Sequence, residues 1–200
     1  MCEQDFWVGA DPGGARNFGL CLLGSDLTAK TWCVDCADEA VALVVAHSTR
    51  PPLGVGIDAP MWWSSGPGGG RLADSWIRKT YGLSPGQVQA VNSLQGAALA
   101  QGMLFVERLR EHFPTVRVTE SHPNAVLRAL SVEWPEFCDQ FGLEMETDTK
   151  HERDAMIAAI SAREGFEGRW ARDLSLARYP SEQDPTRYWL APMQYFWPGQ

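Results

Sequence analysis

Apolar residues recur along the chain in two periods, and the switches between them predict an ordered series of strands and helices. FWVG (residues 6–9) runs apolar into ADPGG, where an acid meets a glycine turn, so a strand is followed by a turn. NFGLCLLGS and LTAKTWCVDC follow within hairpin distance, as two further strands antiparallel to their neighbours. ADEAVALVVAHS has acids in its first turn and apolar residues throughout, which predicts a helix packed on the sheet. PLGVGIDAP is apolar on both faces, as a central parallel strand covered by helices should be. SSGPGGG reads as a flexible linker, leading into RLADSWIRKTYG and a long helical region from about Pro85 to His112. TVRVTESHP is a short alternating strand that again ends in an acid, and PNAVLRAL, with Pro123 near its start, predicts a helix. After a loop-rich piece to Asp148, TKHERDAMIAAISAREG carries the strongest helix signature: Thr149 and Glu152 form a capping box, and Gly165 marks a stop. The tail from Phe166 is rich in Trp, Tyr and Pro, with RYWLAP (residues 187–192) as a last strand.

This order implies an α/β fold: a mixed sheet of three antiparallel strands and then parallel ones, with helices on both faces. Ligands in such sheets gather at the carboxyl ends of the parallel strands. Asp11, Asp58 and Glu120 would stand there, and Asp154 lies one helical turn before Ile157 at the edge of its helix's apolar face. Two carboxylates about 4 Å apart repel by roughly 4 kcal/mol at an effective dielectric of about 20, so such a cluster needs protons or a cation. Oxygen ligands of this kind suit magnesium or manganese. With two ions roughly 4 Å apart, one activates a water and the other stabilises the leaving oxygen in phosphodiester hydrolysis.

Each residue also has a plainer use. Asp11 before Pro12 and Gly13, and Asp58 before Ala59 and Pro60, can simply cap turns. Glu120, and His122 as a candidate substrate-binding residue beside it, can instead hydrogen-bond at the helix entry through Pro123. Glu152 is the capping-box acid, which favours Asp154 as a ligand over it. His151 can be a metal ligand, a proton shuttle or a solvated first-turn residue. Arg71 and Arg78, with Lys79 and Asp74 beside them, can grip a phosphate or form a charged helix face. Trp62 and Trp63 can stack on bases or cover the core.

A chain of 200 residues suits a single domain, here with a helical insertion at about 66–113 and an aromatic-rich extension at 166–200. No run approaches 18 apolar residues, and MCEQDFWVGADPGG has an acid where a signal peptide needs bases, so a soluble, cytoplasmic protein with no membrane partner is expected. Five cysteines in no regular framework imply reduced thiols. WCVDC is explained by strand alternation better than by redox or zinc chemistry, and SGPGGG lacks the lysine and hydroxyl residue of a phosphate loop. The net charge of -8 argues against broad electrostatic adhesion to nucleic acid, so such a partner must be held locally or through metal ions.

Together, GADPGGARNFGLCLL, VGIDAPMWW, RLADSWIR, TESHPNAVLRAL and HERDAMIAAISA resemble a domain-of-unknown-function family of predicted nucleases with a ribonuclease H-like fold, over residues 6 to about 165. By that resemblance Asp11 matches the first-strand acid, Asp58 the fourth-strand acid, Glu120 the acid of the E-x-H-P block and Asp154 the acid of the last helix. RuvC-like resolvases and ribonucleases H arrange metal-binding carboxylates similarly. The resemblance implies a magnesium- or manganese-dependent nuclease acting on nucleic acid or another phosphodiester, with a homodimer as the analogy. Two other readings stay open. DPGG after a first strand is also similar to the phosphate loop of sugar kinases and actin-like proteins, although that fold needs two lobes. A non-catalytic module of the same fold could use the aromatic tail with Trp62 and Trp63 to hold a partner.

Overall fold

β1 (Phe6–Asp11), β2 (Phe18–Gly24) and β3 (Ala29–Val34) form an antiparallel meander in the computed structural model, which describes residues 4–92, 96–144 and 147–199. α1 (Ala37–His47) leads to β4 (Val55–Ile57), which pairs parallel with β1. A short turn of helix (Pro67–Gly69), α2 (Leu72–Tyr81) and α3 (Gly96–His112) precede β5 (Val118–Glu120), parallel to β4. α4 (Pro123–Leu130), α5 (Trp134–Phe141) and α6 (Lys150–Phe166) follow, and a small ribbon of β6 (Arg172–Asp173) and β7 (Phe196–Trp197) closes the described chain. The sheet order is β3-β2-β1-β4-β5.

Strand alternation sorts the core into two layers. Val8, Ala10, Leu20, Leu22, Val55 and Ile57 pack with Val44 of α1 and Phe105 and Leu109 of α3. Trp7, Cys21 and Leu23 pack on the opposite face with α4, α5 and α6. α6 lies across β1, β2 and β4. It comes so close because the sheet offers it no side chains at three crossing points, Gly9, Gly19 and Gly56. A methyl group at Gly9 would stand 1.8 Å from the Ala155 carbonyl oxygen, and one at Gly19 would stand 2.0 Å from that of His151. Gly9→Ala is therefore expected to push α6 off the sheet and to cost about 1–3 kcal/mol, read as a lower urea midpoint. An unchanged midpoint would show that the helix is not held this tightly.

Four expectations from the sequence need correction. Residues 85–92 are turns, not helix, because the carbonyls of Gln87 and Val88 are taken by the side chains of His122 and Arg78. The described residues are helical from Gly96 on; residues 93–95 of the expected helical region lie outside the described residues. The piece before Asp148 contains α5, started by Glu133 and Glu136 in a capping box with Pro135 in its first turn. RYWLAP forms turns, with Arg187 N–H on the Asp184 carbonyl and Ala191 N–H on that of Tyr188. Gln194 instead runs beside β5, its carbonyl accepting from Glu120 N–H, before β7 pairs with β6. Gly165 sits inside the last turn of α6, where any larger side chain would meet the Phe196 ring, so it serves packing rather than termination.

Cys21, Cys33, Cys36 and Cys138 are free thiols, and Cys2 lies outside the described residues. Among the described residues no helix is long and apolar enough to cross a membrane.

Candidate functional site

The parallel register pairs Ala10 with Ile57, so Asp11 and Asp58 leave neighbouring strands side by side, one residue further on and toward α6. The Asp58 N–H is tied to the Ala10 carbonyl at 2.8 Å, which fixes the second acid to the first strand. The first turns of α6 cross over these ends and bring a third acid, Asp154, which is fully buried. Burial, followed by the charges of Asp58 and Asp154, pushes the Asp11 carboxyl up to about 9.

Two histidines orient the pair. His151 Nδ1 lies 2.6 Å from Asp11 Oδ2. Burial and the neighbouring Lys150 charge lower the His151 pKa, so a neutral ring accepts the proton that Asp11 keeps. His122 places Nε2 2.7 Å from the Gln87 carbonyl and Nδ1 3.2 Å from Asp58. A carbonyl can only accept, so Nε2 carries a hydrogen, and Nδ1 is left facing the Asp58 carboxyl. Burial opposes a charge on the ring, but the Asp58 hydrogen bond and charge and the Gln87 carbonyl outweigh it and raise the His122 pKa. Asp154 accepts from Arg153 Nη2 at 2.8 Å, and Lys150 Nζ lies 2.8 Å from its other oxygen.

Glu120 lines the same cleft but does not join these three acids. Its register partner is Ile57, so alternation turns it toward the α1 and α3 side, and the residue aligned with Asp11 and Asp58 is Ser121. Ser121 Oγ meets Ser161 of α6 at 3.0 Å. The Glu120 carboxylate accepts from Arg71 Nη1 at 2.6 Å, from Arg71 Nη2 at 2.9 Å and from Met61 N–H at 2.5 Å. Burial pushes its pKa up to about 7 against the pull of Arg71. Arg71 is equally buried, bonds Asp74 through Nε and Nη2, and stacks 4.1 Å over the Trp62 ring. Its guanidinium is thus a bolt between α2 and β5, with no face turned to a phosphate in solution.

Arg78 donates to the Val88 carbonyl and Ser75 Oγ, on a separate cavity of ≈ 630 Å³ that Gly66 and Tyr179 also line. The tryptophan pair is split. Trp62 is fully buried with Nε1 on Glu182 at 2.9 Å, whereas Trp63 keeps 38% of its surface exposed and is clamped through its backbone to Gln183. Ser121, Lys150 and Glu182 belong to this neighbourhood and are not singled out by the sequence. The i, i+4 spacing of Lys150 to Asp154 was the available signal for one of them.

Among the described residues no three acid, histidine or cysteine side chains already close on one point as metal ligands. The donor chemistry nevertheless fits a hard divalent cation: Asp11 and Asp58 put oxygens on one wall of a cleft of ≈ 260 Å³, and Asp11 retains there a proton that a cation would replace. Glu120 does not fit, because Arg71 and Met61 already occupy its oxygens.

Three antiparallel strands continued by two parallel ones in the order β3-β2-β1-β4-β5, with helices on both faces, define a ribonuclease H-like fold. No protein-family model matches the chain, so the resemblance to predicted nucleases stands on its motif blocks alone. No curated protein matches it either. Two solved structures are similar. RuvC of Thermus thermophilus in complex with a Holliday junction substrate is 16% identical, with a TM-score of 0.46 over 82% of this chain and 95% of that one. A second Thermus thermophilus RuvC structure is 16% identical, with a TM-score of 0.45 over the same shares.

Proposed function

We propose that this chain is a divalent-metal-dependent nuclease that hydrolyses phosphodiester bonds at the cleft between β1 and β4. The observation that carries this reading is Asp11, a buried carboxyl pushed up to about 9 by burial and by two further acids at the end of a parallel strand. Carboxyls perturbed in this way cluster at functional sites, and a cation is the simplest relief for three of them. Asp11 and Asp58 would hold magnesium or manganese, with Asp154 behind them. When bound, such an ion activates a water and stabilises charge on phosphate oxygens. The chain's own part is to aim the ligands: His151 fixes Asp11, and His122, itself anchored on the Gln87 carbonyl, fixes Asp58. Trp63, exposed beside the Asp58 loop, offers a face on which an unpaired base can stack. The net charge of -8 leaves these local contacts and the ion to hold a nucleic-acid substrate.

Labelled DNA and RNA oligonucleotides incubated with magnesium, manganese or chelator test the reading directly, with cleavage expected only when the ion is present. Ion binding should also stabilise the fold by roughly 2.7 kcal/mol at an ion concentration of about 100 times Kd. Because the ion displaces the Asp11 proton, its affinity should rise with pH until the carboxyl ionises by itself near about 9. If neither ion raises the melting temperature and no substrate is cut, the metal-nuclease reading fails.

A further inference from the structure

Resting on that nuclease reading, we propose that the cleft takes one divalent ion rather than two, and that Lys150 supplies the second positive charge. A two-ion site needs a shared carboxylate and further acid oxygens on either side of it. Here those further oxygens already face protein cations. Glu120 is turned toward the other face of the sheet and bound by Arg71 and the Met61 N–H. Asp154 accepts from Arg153 on one oxygen, while the other is buried, accepts no hydrogen bond and has only the Lys150 ammonium, 2.8 Å away, as an ion pair. Asp11 and Asp58 are left, and a single divalent ion balances their charge.

The lysine is well placed for the second role. It opens α6, so its side chain reaches forward along the helix face to Asp154 at i, i+4. Lys150 lines the same cleft as Asp11 and Asp58. Burial opposes its charge, but the neighbouring Asp154 carboxylate outweighs burial and raises the Lys150 pKa. A second divalent ion at Asp154 would have to expel this ammonium or sit beside it. With a phosphate in the cleft, the same ammonium offers N–H donors to a phosphate oxygen, as a point charge held on a carboxylate.

Calorimetric titration of the full chain with manganese alone tests this, on the natural protein and on Lys150→Met and Lys150→Arg. The Lys150 side chain is 60% exposed, so both variants should fold, and circular dichroism checks that they do. One manganese per chain is expected for the natural protein and for Lys150→Arg. Lys150→Met is expected to bind a second, weaker manganese at the vacated Asp154. Its cleavage should be about 10²-fold slower at low manganese and recover as manganese is raised. Two ions on the natural protein, or cleavage with a Hill coefficient of about 2 in manganese, would overturn the single-ion proposal and leave the nuclease reading standing. A Lys150→Met variant that binds one ion and cuts at the natural rate would overturn it too. No manganese bound and no cleavage by any of the three would remove the nuclease reading, and this proposal with it.

Discussion

Asp11→Asn is expected to abolish cleavage, by about 10³-fold or more, while making the protein more stable. The two effects share one cause. In the unfolded chain Asp11 ionises near its ordinary value of 3.8, but in the fold it holds its proton up to about 9. Between those values unfolding releases a proton, so the natural protein loses stability steadily as pH rises from about 4 to about 9 and levels off beyond. Asparagine keeps the neutral shape and does not titrate. The variant should gain about 1 to 2 kcal/mol at neutral pH, or about 2 to 8 °C in melting temperature, with little gain at pH 4. Added manganese should close the gap by stabilising only the natural protein. Melting curves of both proteins across this pH range decide the matter. A variant less stable than the natural protein at neutral pH would mean that Asp11 is a structural turn cap after all.

Arg71→Ala should have the largest effect on the fold, destabilising it by about 3 to 5 kcal/mol. Arg71, Asp74 and Glu120 are all about 2% exposed or less, and the guanidinium faces both carboxylates with hydrogen bonds of 2.6 to 3.0 Å. Its removal leaves two buried acids without a cation and strips the Trp62 ring of the group stacked on it. Pairing Arg71→Ala with Glu120→Gln should return part of the loss, since one of the stranded charges is then gone. Glu120→Gln alone should weaken the fold and still cut at more than about a tenth of the natural rate, because this acid is bonded away from the cluster. Denaturant midpoints and cleavage rates on the three variants separate the roles. A Glu120→Gln protein with a normal midpoint and no cleavage would restore Glu120 as a metal ligand.

The sequence displayed the strands ending in acids, because apolar runs that stop at Asp11, Asp58 and Glu120 are visible without a fold. It displayed α6 and Asp154 through the Thr149–Glu152 capping box, which the structure forms from both sides. It could not display which face each strand-end residue takes. The side-chain period of a strand is two, so whether Glu120 or Ser121 joins Asp11 depends on a register with Ile57 that lies 63 residues away in the chain. The split of Trp62 and Trp63 has the same origin, with Glu182 from the far tail selecting the buried partner. Lys150 was hidden for a different reason: a charged residue in a first helical turn reads as solvated until the acid it covers is known to be buried. α5 was obscured by composition, although Glu133, Pro135 and Glu136 gave its start.

The clasp made by the tail also bears on the order in which a growing chain can finish this cleft. Glu182 accepts from the Trp62 ring, the Leu72 N–H and the Tyr179 N–H, and Ser65 and Gln183 add backbone bonds across the same seam. Gln194 then pairs with β5 on either side of Thr119. The segments that flank the acids are therefore secured by residues that leave the ribosome after every one of the acids has already emerged. A nascent chain that has completed α6 carries Asp11, Asp58 and Asp154 in full, yet the loop that follows β4 and the wall formed by α2 are still unfastened. The cleft is assembled from early parts and locked by a late one.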